Sequence, residues 1–93
     1  MRYFQFSYGQ SECMPDSAFA FEAATLRDLH SVAKAECDRS RDAGHTGAGW
    51  QKGATWARRA WKHGAATLCL SRNAVMCLEE ITAAEYAAAQ EEA

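Results

Sequence analysis

Ninety-three residues, 48% of them hydrophobic, make one domain (1–93), yet 20 of the hydrophobic residues are alanine and Leu, Ile, Val and Phe together number only 12. A net charge of −2 is too small for a disordered chain, and three Trp, three Tyr and four Phe restore buried area at roughly 150–250 Å² each, so composition predicts a folded, thinly cored domain suited to pairing with a copy or a partner. No run reaches the ~18 apolar residues of a membrane span, and the start, Met1 to Ser7, lacks the apolar stretch of ~7–15 residues that marks a secretory signal, which points to the cytoplasm.

Residues 2–8 alternate, with Phe4, Phe6 and Tyr8 on one face and Tyr3, Gln5 and Ser7 on the other, as in a strand with one buried side. Pro15-Asp16 signals a turn. Phe19 and Phe21 alternate with Ala18, Ala20 and Glu22; in a helix the two rings would point ~200° apart, so a second strand fits. Thr25 and Asp28 form an approximate capping box that opens a helix. Along it Leu26, Leu29, Ala33 and Cys37 make one stripe with His30 at its edge, Lys34 and Asp38 form an i,i+4 pair on the opposite face, and Gly44 ends it.

Residues 44–53 hold four of the six glycines and read as a linker. A shorter helix is predicted from about Thr55 to His63, stopped by Gly64. Residues 66–70 and 75–78 then flank a turn as a β-hairpin whose strands are apolar on both faces, as central strands are. A two-residue loop at Arg72-Asn73 would pair Leu70 with Val75, whereas a three-residue loop would set Cys69 opposite Cys77. Thr82 and Glu85 cap a last, alanine-rich helix, with Ile81 and Tyr86 at the positions of a hydrophobic staple. The order ββααββα predicts an α+β domain, an antiparallel sheet backed by helices.

Reduced thiols are the rule in the cytoplasm, so Cys13, Cys37, Cys69 and Cys77 read as small hydrophobes. No Cys-x-x-Cys or His-x-x-x-His occurs, and the spacing offers no set of converging zinc ligands. Neither a metal nor a cofactor is expected. His30, His45 and His63 are candidate bases, but local spacing pairs none with a nucleophile. Glu79 and Glu80 point to opposite faces of their strand. A small enzyme is the third-ranked reading, and the protein is expected to be non-catalytic.

Charge is segregated. Residues 43–78 carry Lys52, Arg58, Arg59, Lys62 and Arg72 and no acid, whereas 79–93 carry Glu79, Glu80, Glu85, Glu91 and Glu92 and no base. With Trp56 at 0° and ~100° per residue, Ala60, Ala57 and Trp61 fall on one half of the short helix, and Arg58, Lys62 and Arg59 on the other. The tryptophan side should dock on the sheet and leave the cations outward. Arg58, Arg59, Lys62, Lys52 and Arg72, with Trp50 as an aromatic anchor, are therefore the candidate partner-binding set, Arg and Trp being enriched at binding hot spots. In the alternative, Glu85, Glu91 and Glu92 imitate phosphates towards a basic groove. The bland reading has the acidic helix lying over the basic one, or both simply solvated.

The segment Gly44-His45-Thr46-Gly47 is a Gly-x-x-Gly between two helices, followed by two strands and a helix. Over residues 25–93 this resembles KH domains, whose Gly-x-x-Gly loop clamps single-stranded nucleic acid, although Asp42-Ala43 precedes the first glycine and the loop holds no Lys or Arg. The resemblance implies nucleic-acid binding through 43–78 as the alternative function. In size and composition the chain resembles small phage or mobile-element inhibitors such as anti-CRISPR proteins. The leading expectation is accordingly a binding module that occludes or bridges a protein or nucleoprotein complex, with a homodimer as one form it can take.

Overall fold

A computed structural model describes residues 1–9, 15–45, 47, 49–71 and 74–92, the side chains of 15–17 and 92 excepted. The elements run β1 (Arg2–Gly9), β2 (Pro15–Ala23), α1 (Leu26–Asp42), α2 (Trp50–His63), β3 (Ala65–Ser71), β4 (Ala74–Ile81) and α3 (Ala83–Glu92). They form the expected α+β domain around a four-stranded antiparallel sheet of order β2-β1-β4-β3. No helix among the described residues is long and apolar enough to cross a membrane.

Strand parity decides which face is buried. Phe4 pairs with Phe21, Phe6 with Phe19 and with Leu78, and Leu68 with Met76, so these side chains share one side of the sheet. On that side α1 contributes Leu29, Ala33 and Cys37, and α2 contributes Trp56, Ala57 and Ala60, all buried with Phe4, Phe6, Met76 and Leu78. The aromatic rings make up for the scarce aliphatics: Phe4 stacks on Phe21 and Trp61, and the Trp56 ring meets Phe6 edge-on.

Helix ends obey local rules. The Thr25 hydroxyl accepts from Asp28 N while Asp28 Oδ2 accepts from Thr25 N, a reciprocal cap. Thr82 and Glu85 do the same for α3 at 3.1 and 3.0 Å. Beyond α1 and α2, Gly44 (φ 100°) and Gly64 (φ 85°) take the left-handed conformation that ends a helix at little cost only for glycine. Arg2 pins the far end of α2 to the sheet. Its guanidinium donates to Glu80 (2.9 Å) and to the Trp61 carbonyl (2.8 Å), and it lies 4.0 Å from the Trp61 ring centroid. That hydrogen-bonded pairing holds the Glu80 carboxyl below its ordinary pKa.

Four expectations need correcting. Pro15-Asp16 opens β2 instead of making a turn; proline is tolerated as the first residue of an edge strand, where no ladder hydrogen bond is lost. α2 begins at Trp50, five residues before Thr55, so the glycine-rich linker is shorter than read. β3 is an outer strand, not a central one, and Ala65, Thr67, Cys69 and Ser71 face outward. Finally, Ser71 pairs with Ala74, but the register slips so that Cys69 opposes Val75 and Thr67 opposes Cys77. Leu70 therefore does not pair with Val75, nor Cys69 with Cys77, and Cys37, Cys69 and Cys77 are free thiols. Cys13 lies outside the described residues.

The acidic helix does not cover the basic one. Tyr86 of α3 stacks on Tyr3 at 4.7 Å, and Tyr3 points away from the Phe4 side; the Gln90 amide reaches Ala20 O at 3.5 Å. α3 thus lies across β1 and β2 on the sheet face opposite α1 and α2.

Candidate cation ridge and adjacent cavity

The outward face of α2 carries the candidate cations. Lys52, Arg58, Arg59 and Lys62 are exposed, while Trp56, Ala57 and Ala60 of the same helix are buried, as the 100° periodicity requires. The ion pairs among the described residues are Arg2–Glu80, Lys34–Asp38, Arg39–Glu36 and Arg41–Asp38, and none uses a base of α2. Among the described residues Arg58 donates only to the Thr55 hydroxyl, at 3.3 Å.

This ridge is locally unfavourable. The first turn of α2 holds no acid to complement the positive helix end, and Lys52 sits there instead. Arg58 and Lys62 form a like-charge i,i+4 pair, which costs about 0.2–0.5 kcal/mol. Only Lys62 and His63, in the last turn, suit the helix dipole. Beside the ridge runs a groove of about 400 Å³ between α2 and edge strand β3, with Lys52, Thr55 and Arg59 on one wall and Thr67 and Leu68 on the other.

The remaining candidates behave differently. Trp50 is half-buried, meets His30 edge-on with centroids 5.9 Å apart and packs on the core, so its ring is already engaged by its own chain. Arg72 lies outside the described residues. Of the acidic alternative, Glu85 is committed to the α3 cap, Glu91 is exposed, and the Glu92 side chain lies outside the described set. In the Gly-x-x-Gly segment, a Cβ on Gly47 would come within 2.5 Å of the Leu70 carbonyl oxygen, so this glycine serves a close approach to β3; Thr46 is outside the described residues.

Sequence reasoning passed over a second feature. A cavity of about 200 Å³ lies between the end of α1 and β1, lined by Phe6, Tyr8, Glu36, Arg39, Ser40 and His45. Glu36 is only 6% exposed and Ser40 8%. The Glu36 carboxylate meets a single Arg39 nitrogen, 3.1 Å from one oxygen and 3.2 Å from the other. The Ser40 hydroxyl donates to Met76 Sδ at 3.3 Å, and Tyr8 OH lies 3.3 Å from His45 Nε2. The signal was the helical stripe itself: Leu29, Ala33 and Cys37 continue onto Glu36 and Ser40, where a surface helix normally places apolar side chains.

Burial raises the Glu36 pKa, and Arg39 only partly offsets this. A carboxyl with a raised folded-state pKa contributes its stability below its unfolded value and loses it as pH rises through the folded one. Glu36→Gln is therefore expected to be more stable than the parent at neutral pH and indistinguishable from it well below the ordinary carboxylate pKa. Urea unfolding at the two pH values measures the difference.

Family models, curated proteins and solved structures provide no match to this chain.

Proposed function

We propose that the protein is a non-catalytic binding module that docks the α2 ridge onto an acidic surface of a macromolecular partner. The observation that supports this reading most is the contrast in pairing: of the five described cations outside α2, Arg2, Lys34, Arg39 and Arg41 are matched by carboxylates and Arg27 is not, whereas all four exposed cations of α2 lack a carboxylate among the described residues. Like charges gathered at a cost to the helix, beside a groove, suit a face meant to be neutralised by something else. In an inhibitor of a host complex, the role that size and composition suggest, this face would grip an acidic patch and the bulk of the domain would block access.

Charge reversal tests it. The triple variant Arg58→Glu, Arg59→Glu, Lys62→Glu exchanges one like-charge i,i+4 pair for another and loses the Lys62 cation from the negative helix end, so it is expected to fold with a loss of no more than about 1 kcal/mol. Its affinity for a fluorescent Asp/Glu-rich peptide, read by anisotropy at low salt, should fall at least about tenfold. If the parent does not bind the peptide, or the triple variant binds it equally well, the reading is wrong. A parallel titration with single-stranded and duplex DNA separates the alternative. Tighter DNA binding, with a salt slope that drops by about one per cation removed, would assign the ridge to phosphates.

A further inference from the structure

The cavity at the end of α1 uses no residue of the α2 ridge, and its chemistry is of another kind. Its charged groups are a buried carboxylate and an exposed guanidinium already in contact, so the pair carries no net charge, with the Arg39 side chain 72% exposed at the mouth and the Glu36 side chain 8% exposed inside. A lone cation entering would meet Arg39, and a lone anion would meet Glu36. A ligand with both charges one carbon apart matches an ion pair of 3.1 Å, since each of its charged groups then reaches the opposite member.

Capacity remains on both sides. A carboxylate offers about four lone-pair sites and a guanidinium five N–H donors, of which the internal pair uses few. The Ser40 oxygen, its proton directed at a weak thioether acceptor, can still accept from an ammonium. Phe6 and Tyr8 supply an apolar and aromatic wall, favourable to a ligand cation as well as to a hydrocarbon side chain. A volume of about 200 Å³ corresponds to roughly seven waters, the size of a small amino acid.

We propose that this cavity binds a free α-amino acid with a short apolar side chain, its ammonium on Glu36 and Ser40 and its carboxylate on Arg39. A carboxylate buried at the cavity wall and met by a single guanidinium nitrogen keeps free acceptor capacity, which a binding role uses and a packing role does not.

The test is a two-dimensional NMR titration of the ¹⁵N-labelled full chain with L-alanine, L-valine and L-leucine. Two controls accompany it: isobutylamine, which is valine without its carboxylate, and isovalerate, which is valine without its amine. At least one amino acid should give saturable shifts centred on the amides of Tyr8, Glu36, Ser40 and His45, with a Kd of about 1 mM or tighter. Both controls should bind at least about tenfold more weakly. Glu36→Gln and the exposed-site variant Arg39→Gln should each weaken binding by a similar factor, while reversal of Arg58, Arg59 and Lys62 leaves it unchanged. The proposal is overturned if no amino acid saturates the site, if either control binds as tightly, or if both cavity variants bind like the parent.

Discussion

Replacing Trp56 by alanine is expected to remove about 3–5 kcal/mol of stability, a large share for a domain whose total is of the order of 5–15 kcal/mol. The ring is 2% exposed and closes the core between α2 and the sheet, with Phe6 against it at 6.4 Å. Its indole N–H also donates to the Ala66 carbonyl at 2.9 Å, a hydrogen bond to the outermost strand. Trp56→Phe separates the two contributions. It keeps most of the apolar ring but loses the donor, and should cost only about 1–2 kcal/mol. Urea midpoints of the two variants and the parent, at constant slope, read both numbers.

An outer strand offers unpaired N–H and C=O groups to any passing chain. Just before β3, Gly64 O accepts from Glu80 N, so the ladder turns the backbone of Ala66 and Leu68 towards β4 and leaves that of Ala65, Thr67 and Cys69 facing the open edge. Farther along, the backbone at Leu70 is approached by Gly47 so closely that a Cβ on that glycine would overlap it. The open stretch at Thr67 is flanked by Lys52 and Arg59. Positive side chains beside an edge deter a second copy of the same edge and leave it accessible to an acidic segment. The ridge and the strand edge are thus parts of one surface.

Local rules made much of this legible before any coordinates. The caps at Thr25 and Thr82, the glycine stops at Gly44 and Gly64, and the split of α2 into Trp/Ala and cationic halves depend on neighbours within one or two turns. What escaped depends on distant contacts. β3 looked central because alanine and cysteine counted as apolar. The size alternation, Leu68 and Leu70 against Thr67 and Cys69, was the better guide to its exposed face. The side of the sheet on which α3 lies follows from the Tyr3–Tyr86 stack, which no periodicity encodes. Glu36 and Ser40 sat on the core stripe in plain view, but a stripe read for its apolar members hides its polar ones.

The early start of α2 escaped for a related reason, and it leads to the second large effect. Gly49 and Gly53 made residues 44–53 look like a loop, yet Gly53 is buried inside the helix. Helix propensity alone favours Gly53→Ala by about 1 kcal/mol. The surroundings reverse the sign: a Cβ at Gly53 would lie 2.6 Å from Cys37 Sγ and 3.1 Å from Trp50 Cε3. Both neighbours are packed, so α1 and α2 must separate, and Gly53→Ala is expected to cost about 1–3 kcal/mol net. Cys37→Ala creates the missing space. Alone it leaves a small void, at about 1–2 kcal/mol, but together with Gly53→Ala the two should be more stable than the sum of the single losses by at least about 1 kcal/mol. A double-mutant cycle by urea unfolding measures that coupling, and strict additivity would place the helix contact elsewhere. The cycle also bears on the thiol. Burial chiefly, and the neighbouring carboxylates of Asp38 and Glu36, push the Cys37 pKa up, so the parent should react with a thiol reagent far more slowly than its exposed Cys69. In Gly53→Ala alone, with the helices prised apart, Cys37 labelling should accelerate in step with the lost stability.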